Sequence, residues 1–263
     1  MLSKKRRSLS SNSVKKYHLD PDQLPGHVAV IMDGNGRWAK KRLMNRVKGH
    51  ERGTETVRSI VDICCELGIE FLTLYAFSTE NWSRPEREIS LLMSLLKRYA
   101  KSERSEFVEK NIRLNVIGQK HRLPENVRRE LDITIDQTRN NNGLVVNLAL
   151  SYGAREEITR AVKKLAQKVE AGDILCRDIS EKSICDHLYT KNMPDPDILI
   201  RTSGEMRLSN FLLWQAAYTE IFITDTLWPD FTKKEFVNIL REYQTRDRRF
   251  GKVVCTSNDG SPQ

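Results

Sequence analysis

The chain has 263 residues, of which 39% are hydrophobic and 30% charged, so it can enclose a core and lies outside the composition typical of disordered proteins. Six Lys and Arg against two Asp place much of the net charge of +9 in residues 1–24, and the mildly basic remainder suits anionic ligands such as diphosphates, or a membrane surface. Five cysteines without a CxxC pair indicate neither a disulfide framework nor a thiolate zinc site and favour a reducing cytoplasm, and no segment is apolar enough to predict a membrane span.

Short runs rich in β-branched and aromatic residues alternate with helical patterns along the chain. Helices are predicted in most of the gaps between strands at residues 27–32, 71–77, 112–117, 144–150 and 197–201. This alternation predicts a single α/β domain whose central, mainly parallel sheet is flanked by helices. We expect the domain to occupy residues 25–252, between a basic mobile tail at 1–24 and a flexible C-terminal tail at 253–263.

Two predicted helices have an apolar stripe. Residues 50–67 repeat apolar side chains at helical spacing, and Gly68 follows as a typical C-cap. The other helix starts after Pro85, and its stripe comprises Ile89, Leu92, Met93, Leu96, Tyr99 and Ala100. This stripe is either ordinary core or, in part, the lining of a cavity for a hydrocarbon chain, and periodicity alone does not separate the two.

The strongest chemical signal lies at residues 27–39, where an apolar strand ends in Asp33 and a glycine-rich turn follows. Ligands of open α/β sheets gather at such strand ends, and Gly34 and Gly36 let backbone N–H groups approach a phosphate beside Arg37. A carboxylate next to a phosphate is repulsive unless a hard cation lies between them, which points to Mg²⁺. The alternative is that Asp33 caps the next helix and the glycines only make a turn.

Two further segments carry polar groups suited to an anion. Arg46 and His50 are four residues apart and share a face if a helix has begun, although a charged face is usually solvated and a single His is usually structural. The loop at residues 75–85 concentrates hydroxyl, amide, indole and guanidinium groups after the second predicted strand. Helix capping needs only one polar side chain and explains neither Trp82 nor Arg84.

A second basic cluster follows the strand predicted at 197–201. Arg201 and Arg207 can each form two parallel hydrogen bonds with phosphate oxygens, which Lys cannot do. Glu220 stands among apolar residues and therefore requires a partner, which is either a metal ion or the guanidinium of a structural salt bridge.

Together these segments resemble the cis-prenyltransferase family, and most closely its bacterial undecaprenyl diphosphate synthases. The match extends over about residues 25–252 and rests on HVAVIMDGNGRWAK, NRVKGHERG, LTLYAFSTENWSRP, NLALSYGAREEI, ILIRTSGEMRLSNFLLWQ and TEIFITDTLWPDF. The resemblance implies an α/β domain with a hydrophobic tunnel, usually a homodimer, that extends an allylic diphosphate such as farnesyl diphosphate with isopentenyl diphosphate. The implied product is a long polyprenyl diphosphate, namely undecaprenyl diphosphate, which is the precursor of a lipid carrier for cell-wall synthesis. The resemblance also implies that the enzyme contacts the membrane peripherally when it releases this product.

The resemblance also assigns roles to single residues. It implies that Asp33 and Glu220 bind Mg²⁺ and that Asn81 stands where the family's proton acceptor is assigned, although a carboxamide is a poor base and we expect it to orient the acceptor instead. The first group of implied substrate-binding residues, which surrounds the allylic diphosphate or places the substrates, is Gly34, Asn35, Gly36, Arg37, Trp38, Arg46, His50, Ser78, Thr79, Glu80, Trp82 and Arg84. The second group, which holds isopentenyl diphosphate, is Arg201, Arg207, Leu208 and Ser209.

Other positions bear on how this chain differs from its relatives. Met206 stands where many bacterial relatives have His, so any acid, base or metal role there is absent. Arg249 and Gly251 match an RxG element that can reach the partner's site in dimers. Ala76 and Leu144 fall where the family sets tunnel depth, and the small Ala76 is compatible with a long product.

Competing functions fit the residues less well. An aspartyl-phosphate phosphatase needs a second carboxyl two residues after Asp33, where the chain has Asn35. A nucleic-acid-binding protein suits the basic charge, but no RNP, KH or zinc-finger pattern occurs. A non-catalytic partner subunit would lack Asp33 or the loop at residues 75–85, and helical trans-prenyltransferases carry a DDxxD motif that this chain does not have.

Overall fold

A parallel sheet forms the centre of the molecule. The computed structural model describes residue 14 and residues 16–246. Its strands are β1 His27–Ile31, β2 Phe71–Ser78, β3 Arg113–Ile117, β4 Val145–Tyr152, β5 Ile198–Thr202 and β6 Glu220–Thr224. They form one sheet in the order β3-β4-β2-β1-β5-β6, with every neighbouring pair parallel. The predicted single α/β domain is confirmed.

Helices cover both faces of this sheet. They are α1 Asn35–Lys41, α2 Arg46–Leu67, α3 Glu86–Ser102, α4 Arg104–Glu109, α5 Glu125–Thr138, α6 Ala154–Glu170, α7 Glu181–Cys185 and α8 Lys233–Thr245. The larger core packs α2, α3, α5 and α8 against one face, and a smaller core lies on the other face with the start of α6. Among the residues described, no helix has both the length and the apolar character needed to cross a membrane.

β1 shows why the strands at the centre of the sheet are mostly apolar. All five of its residues are buried. Val28 and Val30 contribute to the larger core, whereas Ala29 and Ile31 contribute to the smaller one. Because successive side chains point to opposite faces and both faces are covered, no position on the strand is left for a polar residue in contact with water.

α2 begins and ends at residues that favour helix termini. The Asn45 side chain accepts a hydrogen bond from the Val47 N–H at 3.2 Å, and Gly68 ends the helix with φ 72°. The predicted C-cap is confirmed. The helix starts at Arg46, earlier than the predicted residue 50, so Arg46 and His50 both belong to its first turns.

Part of the segment predicted as a mobile tail packs against the domain. Val14 and Leu19 are 2% and 6% exposed and belong to the larger core, and Arg241 donates a hydrogen bond to the Tyr17 carbonyl at 2.7 Å. The prediction is therefore wrong for residues 14 and 16–24, whose few apolar residues are too widely spaced to show a period. The predicted boundary at 252, the tail after it and the RxG element lie outside the described residues.

Candidate active site

A strand-to-helix turn after β1 forms the polar end of the site. Gly34 has φ 102°, and α1 starts at Asn35 with Gly34 as its N-cap and no capping side chain. The alternative that Asp33 caps α1 is therefore wrong. A Cβ on Gly34 would lie 2.9 Å from a methyl carbon of Leu227, so both the backbone conformation and the available space require glycine.

The Asp33 carboxylate is surrounded by hydrogen-bond donors. Its Oδ2 lies 2.9 Å from Nη2 of Arg201 and 3.3 Å from Nη2 of Arg37, and its Oδ1 accepts the Gly34 N–H at 2.7 Å. Burial alone would raise the pKa of Asp33, but the hydrogen bonds from Arg201 and Gly34 and the positive charge of Arg37 hold it below its usual value. Asp33 is therefore a carboxylate at neutral pH.

Arg201 extends from β5 into the same turn. Its side chain is 4% exposed, and its Nη1 donates to the Ser209 hydroxyl at 2.7 Å and to the Arg207 carbonyl. Its Nε is buried and has no partner among the described residues. β1 and β5 are parallel neighbours, and their register places Arg201 beside Ile31. Ile31 lies two residues before Asp33, so Arg201 is close to that carboxylate.

Two glycines of α2 allow this helix to lie against the turn. A Cβ on Gly49 would overlap the Asn35 carbonyl oxygen, and a Cβ on Gly53 would overlap the Asn35 side-chain oxygen. The Asn35 amide donates to the Met32 carbonyl at 3.0 Å, and its Oδ1 is buried without a partner among the described residues. Because Gly49 and Gly53 are four residues apart, they lie on the same face of α2, and that face has no side chains that would keep it away from the glycine-rich turn.

A charged cluster from α2 and α3 lies across the site. Glu88 binds Arg84 at 3.0 Å and Arg46 at 3.3 Å. Next to it, burial and the charges of Arg84 and Arg46 lower the pKa of His50 to about 4, against a smaller raising effect of Glu88. His50 is therefore neutral at pH 7, and the two guanidinium groups supply the positive charge.

The last residue of β2, Ser78, lines the site together with Glu80 and Asn81 of the segment that follows. Thr79–Ser83 form a 3-10 turn in which the Asn81 side-chain oxygen accepts the Ser78 N–H at 3.1 Å. Glu80 accepts a hydrogen bond from Asn210 at 2.8 Å. Asn81 thus stabilises the turn as well as facing the site.

One cavity of about 830 Å³ connects these polar groups to an apolar lining. Apolar side chains from β2, β4, α2 and α3 form that lining, including Val57, Leu74, Ala76, Phe77, Leu92, Met93, Leu96, Tyr99, Leu148 and Leu150. Part of the α3 stripe therefore lines a cavity, and the rest is core. The cavity can hold an anionic head and a hydrocarbon chain in one ligand.

Comparison with known proteins also indicates a protein that binds prenyl diphosphates. The family model described as putative undecaprenyl diphosphate synthase matches residues 31–251. The chain belongs to the undecaprenyl diphosphate synthase family. An isoprenyl transferase of Geobacter sulfurreducens is 51% identical over 245 residues, which are 93% of this chain and 100% of that protein. An isoprenyl transferase of Clostridium tetani is 49% identical over 250 residues, which are 95% of this chain and 98% of that protein.

Solved structures of the family share the fold. A lavandulyl diphosphate synthase of Lavandula x intermedia, in complex with dimethylallyl diphosphate, superposes with a TM-score of 0.86 at 38% identity over 88% of this chain and 100% of that one. A probable undecaprenyl diphosphate synthase of Campylobacter jejuni has a TM-score of 0.72 at 38% identity over 87% and 99%. Family membership makes the chain a prenyltransferase and implies prenyl diphosphates as its substrates.

The structure brings most of the predicted site residues to this cavity. The thirteen that line it are Asp33, Gly34, Asn35, Gly36, Arg37, Arg46, His50, Ser78, Glu80, Asn81, Arg84, Arg201 and Ser209. Their common location is a finding of the structure. Their individual roles in the synthase reaction stay predictions.

Trp38 and Trp82, predicted to bind substrate, lie away from the cavity. The Trp38 indole donates to Asp230 at 2.7 Å. The Trp82 indole donates to the Ser151 hydroxyl at 2.9 Å and packs edge-on against Phe77 with ring centroids 4.9 Å apart. Each ring is thus held by a side chain outside the cavity lining, and substrate contact by these two residues stays a prediction.

Three more predicted substrate ligands are placed outside the cavity lining. Arg207 pairs with Glu205 through its guanidinium and reaches the site only through its carbonyl, which Arg201 holds. Leu208 packs against the smaller core. Thr79 lies against Gly153, where a Cβ would contact its hydroxyl. Substrate contact by these three side chains stays a prediction.

Glu220, the predicted second metal ligand, lies at the amino ends of the strands, whereas Asp33 lies at their carboxyl ends. It opens β6 and is level with Ile198 at the start of β5, whereas Asp33 follows the carboxyl end of β1. Its carboxylate binds Arg246 at 2.7 Å. Within one chain, this geometry supports the salt-bridge alternative, and a metal role for Glu220 stays a prediction.

Glu88 and Tyr75 are two of the cavity residues that the sequence reasoning missed. Glu88 lies in the first turn of α3, where an acidic residue is expected for helix stability alone, but its spacing of four from Arg84 was a usable signal. The Tyr75 hydroxyl donates to the carbonyls of Tyr152 and Ser209, both at 3.2 Å, which ties the loop after β5 to β2. Nothing in the sequence pattern indicates that contact.

The donor set fits a magnesium ion that is shared with a ligand. Asp33 offers one partly exposed carboxylate to the cavity. Among the described residues, no group of three or more His, Cys, Asp or Glu side chains is arranged to hold a metal by itself. Mg²⁺ commonly keeps several waters and binds one or two carboxylates together with substrate phosphates, so a single carboxylate is compatible with it.

Proposed function

We propose that this synthase family member condenses isopentenyl diphosphate with an allylic diphosphate such as farnesyl diphosphate and forms a cis double bond at each addition. The observation that carries the proposal is a single cavity whose polar end is built around Asp33 and Arg201 and whose remainder is apolar. An allylic diphosphate has the same two parts in one molecule.

The residues at the polar end suit departure of the diphosphate. As the allylic C–O bond breaks, negative charge grows on the leaving oxygens, and the guanidinium groups of Arg37 and Arg201, which line this end of the cavity, can stabilise that charge. When bound to Asp33, Mg²⁺ would neutralise charge on the same oxygens. The alkene of isopentenyl diphosphate attacks the allylic carbon and then loses a proton, for which Asn81 orients the acceptor.

The apolar lining supports elongation to a long product, which we propose is undecaprenyl diphosphate, a lipid-carrier precursor for cell-wall synthesis. Each buried CH₂ of the growing chain contributes about 0.8 kcal/mol. Ala76 presents its small side chain to the cavity at a bulge of β2, where the register with β4 shifts. A small residue there leaves room for chain growth.

We further propose that the enzyme is a homodimer. Supporting this, β6 is the edge strand of the sheet, and the exposed apolar residues Ile221, Tyr218 and Leu213 lie on it or shortly before it. Exposed edge strands and apolar patches are features that proteins usually cover. Light scattering of the purified protein at micromolar concentration should give twice the chain mass, and a monomer mass would refute the dimer.

We propose a cytoplasmic enzyme that contacts the membrane peripherally, because its product is a long-chain lipid. Activity is tested by incubating the protein with labelled isopentenyl diphosphate, farnesyl diphosphate and Mg²⁺, followed by extraction and chromatographic sizing. Label should move into polyprenols of discrete length after dephosphorylation. Absence of extractable label with every allylic primer from dimethylallyl to farnesyl diphosphate would refute the proposed function.

A further inference from the structure

The turn between α1 and α2, residues 42–45, exposes two apolar side chains beside the cavity. Leu43 is 98% exposed and Met44 is 49% exposed. Arg37, near the start of α1, and Arg46, at the start of α2, both line the cavity. The apolar tip thus stands next to the polar end of the site.

Leu43 occupies a backbone position that favours glycine. Its φ is 56°, its N–H donates to the Lys40 carbonyl at 3.1 Å, and the Met44 N–H donates to the Ala39 carbonyl at 2.9 Å. This pattern is a Schellman motif with leucine at the position that usually holds glycine. Since Leu43 is both strained and exposed, neither the backbone nor core packing explains the choice of a large apolar residue.

The base of the turn is held in place. The Arg42 guanidinium lies 4.1 Å from the centroid of the Trp38 ring and binds Asp230 at 3.2 Å. Trp38 is itself bonded to the same carboxylate. The turn therefore projects Leu43 and Met44 from a fixed base.

Positive charge surrounds the tip. Residues 40–48 contain five Lys and Arg and no Asp or Glu. Arg42 and Arg46 are paired with acidic side chains of other segments, and Lys48 is paired with Glu51 of the same helix. Lys40 and Lys41 are exposed and make no ion pair among the described residues, so their charge is available to a partner.

We propose that residues 40–48 bind an anionic lipid bilayer, with Leu43 and Met44 among the acyl chains and Lys40 and Lys41 at the headgroups. Exposed apolar residues flanked by cations are the pattern of interfacial anchors, and the charge identifies the partner surface as negative. The inference rests on the proposed function in one respect, because a lipid product gives the enzyme reason to face a bilayer. This orientation brings the polar end of the cavity to the membrane surface.

Flotation with lipid vesicles tests the apolar part of the surface. The purified chain is mixed, without substrates, with vesicles of phosphatidylcholine that do or do not contain phosphatidylglycerol. The double variant L43S/M44S should partition onto the anionic vesicles about tenfold more weakly than the wild type. The matched control V162S/L175S removes two exposed apolar side chains elsewhere on the surface and should bind as the wild type does.

A charge-matched pair tests the basic part. K40Q/K41Q and K163Q/K164Q each remove two positive charges from exposed sites, the second pair on α6. Each lysine near an anionic surface strengthens binding by about fivefold, so the first variant should lose about tenfold or more in partition and the second should lose much less. Equal losses in both variants would overturn the assignment to this turn and indicate attraction by net charge alone.

Leu43→Gly separates a binding role from a structural one. Glycine relieves the left-handed backbone, so the variant should unfold at a higher temperature than the wild type and yet float less with anionic vesicles. Flotation of Leu43→Gly equal to that of the wild type would overturn the proposal. Wild-type binding to neutral vesicles as strong as its binding to anionic vesicles would also overturn it. A lower oligomer mass for L43S/M44S in light scattering would also overturn it and make the turn a contact between copies.

The same measurements distinguish this inference from the proposed function. Prenyl transfer is assayed in detergent solution, where the loop variants should retain the activity of their controls. If the protein shows no prenyl transfer but its variants bind vesicles in the pattern described above, the proposed function is refuted and the membrane-binding proposal is supported. Prenyl transfer with no difference between loop and control variants in flotation would refute only the membrane surface.

Discussion

The carboxylate of Asp33 and the guanidinium of Arg201 lie 2.9 Å apart although the two residues are separated by 168 positions in the chain. The parallel register of β1 with β5 produces this contact, since both residues approach the same edge of the sheet. One Nη of Arg201 binds Asp33 and the other binds Ser209. The pair therefore joins the turn after β1 to the loop after β5.

Replacing Arg201 by Lys should weaken both binding and stability. A single ammonium cannot reach Asp33 and Ser209 together, so we expect KM for isopentenyl diphosphate to rise at least about tenfold and the free energy of unfolding to fall by about 2 kcal/mol. Steady-state kinetics and urea denaturation measure the two effects. Arg177→Lys, at an exposed position, is the control, and equal KM values for both variants would contradict the role of Arg201.

Acid should destabilise the fold through His27 and His50. Burial lowers the pKa of His27 and of His50 to about 4, from 6.5 in the unfolded chain. Between pH 6.5 and 4 the unfolded state binds more protons than the folded one, so the free energy of unfolding falls as the pH falls, by at most about 3 kcal/mol for each histidine. Urea denaturation at pH 7 and pH 5 should show a smaller loss in His50→Gln than in the wild type. Parallel losses in the two proteins would show that His50 does not titrate in this window.

Alanine substitutions at Gly34 and Gly172 distinguish the effect of backbone strain from the effect of steric overlap. Both have positive φ, but a Cβ on Gly34 would meet Leu227, whereas a Cβ on Gly172 would meet nothing within 4 Å. Gly172→Ala should lose about 1 kcal/mol of unfolding free energy and keep its activity. Gly34→Ala should lose more stability and at least about a hundredfold in kcat/KM, because the overlap with Leu227 would displace the turn that carries Asp33. Equal effects of the two substitutions would contradict the close contact at the turn.

Much of the fold could be predicted because its strands and helices carry local signals. Residues 28–31 of β1 are a continuous apolar run, and α2 has the predicted C-cap at Gly68. β6 was missed because its run from Glu220 to Thr224 is short and borders other apolar residues, with no turn signal to isolate it. The packing of Val14 and Leu19 was missed because isolated apolar residues have no period.

The candidate site was only partly predictable because motif position does not give side-chain direction. Asp33 follows β1 and Arg201 lies near the end of β5, so the carboxyl ends of these neighbouring strands bring the two side chains together, as expected. Trp38 and Trp82 lie in motifs next to such residues, yet their rings point into supporting contacts. For Glu220 the decisive fact is strand order and direction, because a residue at the start of a parallel strand lies far from one that follows the end of another.

Enlarging Ala76 should shorten the products. Its side chain faces the cavity, so in Ala76→Leu the larger side chain would block the path of the growing chain before the normal length is reached. Chromatographic sizing of dephosphorylated products measures the shift. Ala166→Leu, at an exposed position on α6, should give the wild-type distribution. An unchanged distribution in Ala76→Leu would remove cavity blockage as the limit on length.

The dependence of turnover on Mg²⁺, measured by titration in the wild type and in Asp33→Ala, tests the central claim most directly. Asp33 is expected to act with the metal in the loss of diphosphate, so chelator should abolish wild-type turnover and Asp33→Ala should lose at least about a thousandfold in kcat at every Mg²⁺ concentration, with its circular dichroism spectrum unchanged. Wild-type turnover in chelator, or near-normal activity of Asp33→Ala with the same Mg²⁺ requirement, would contradict a metal held at this carboxylate.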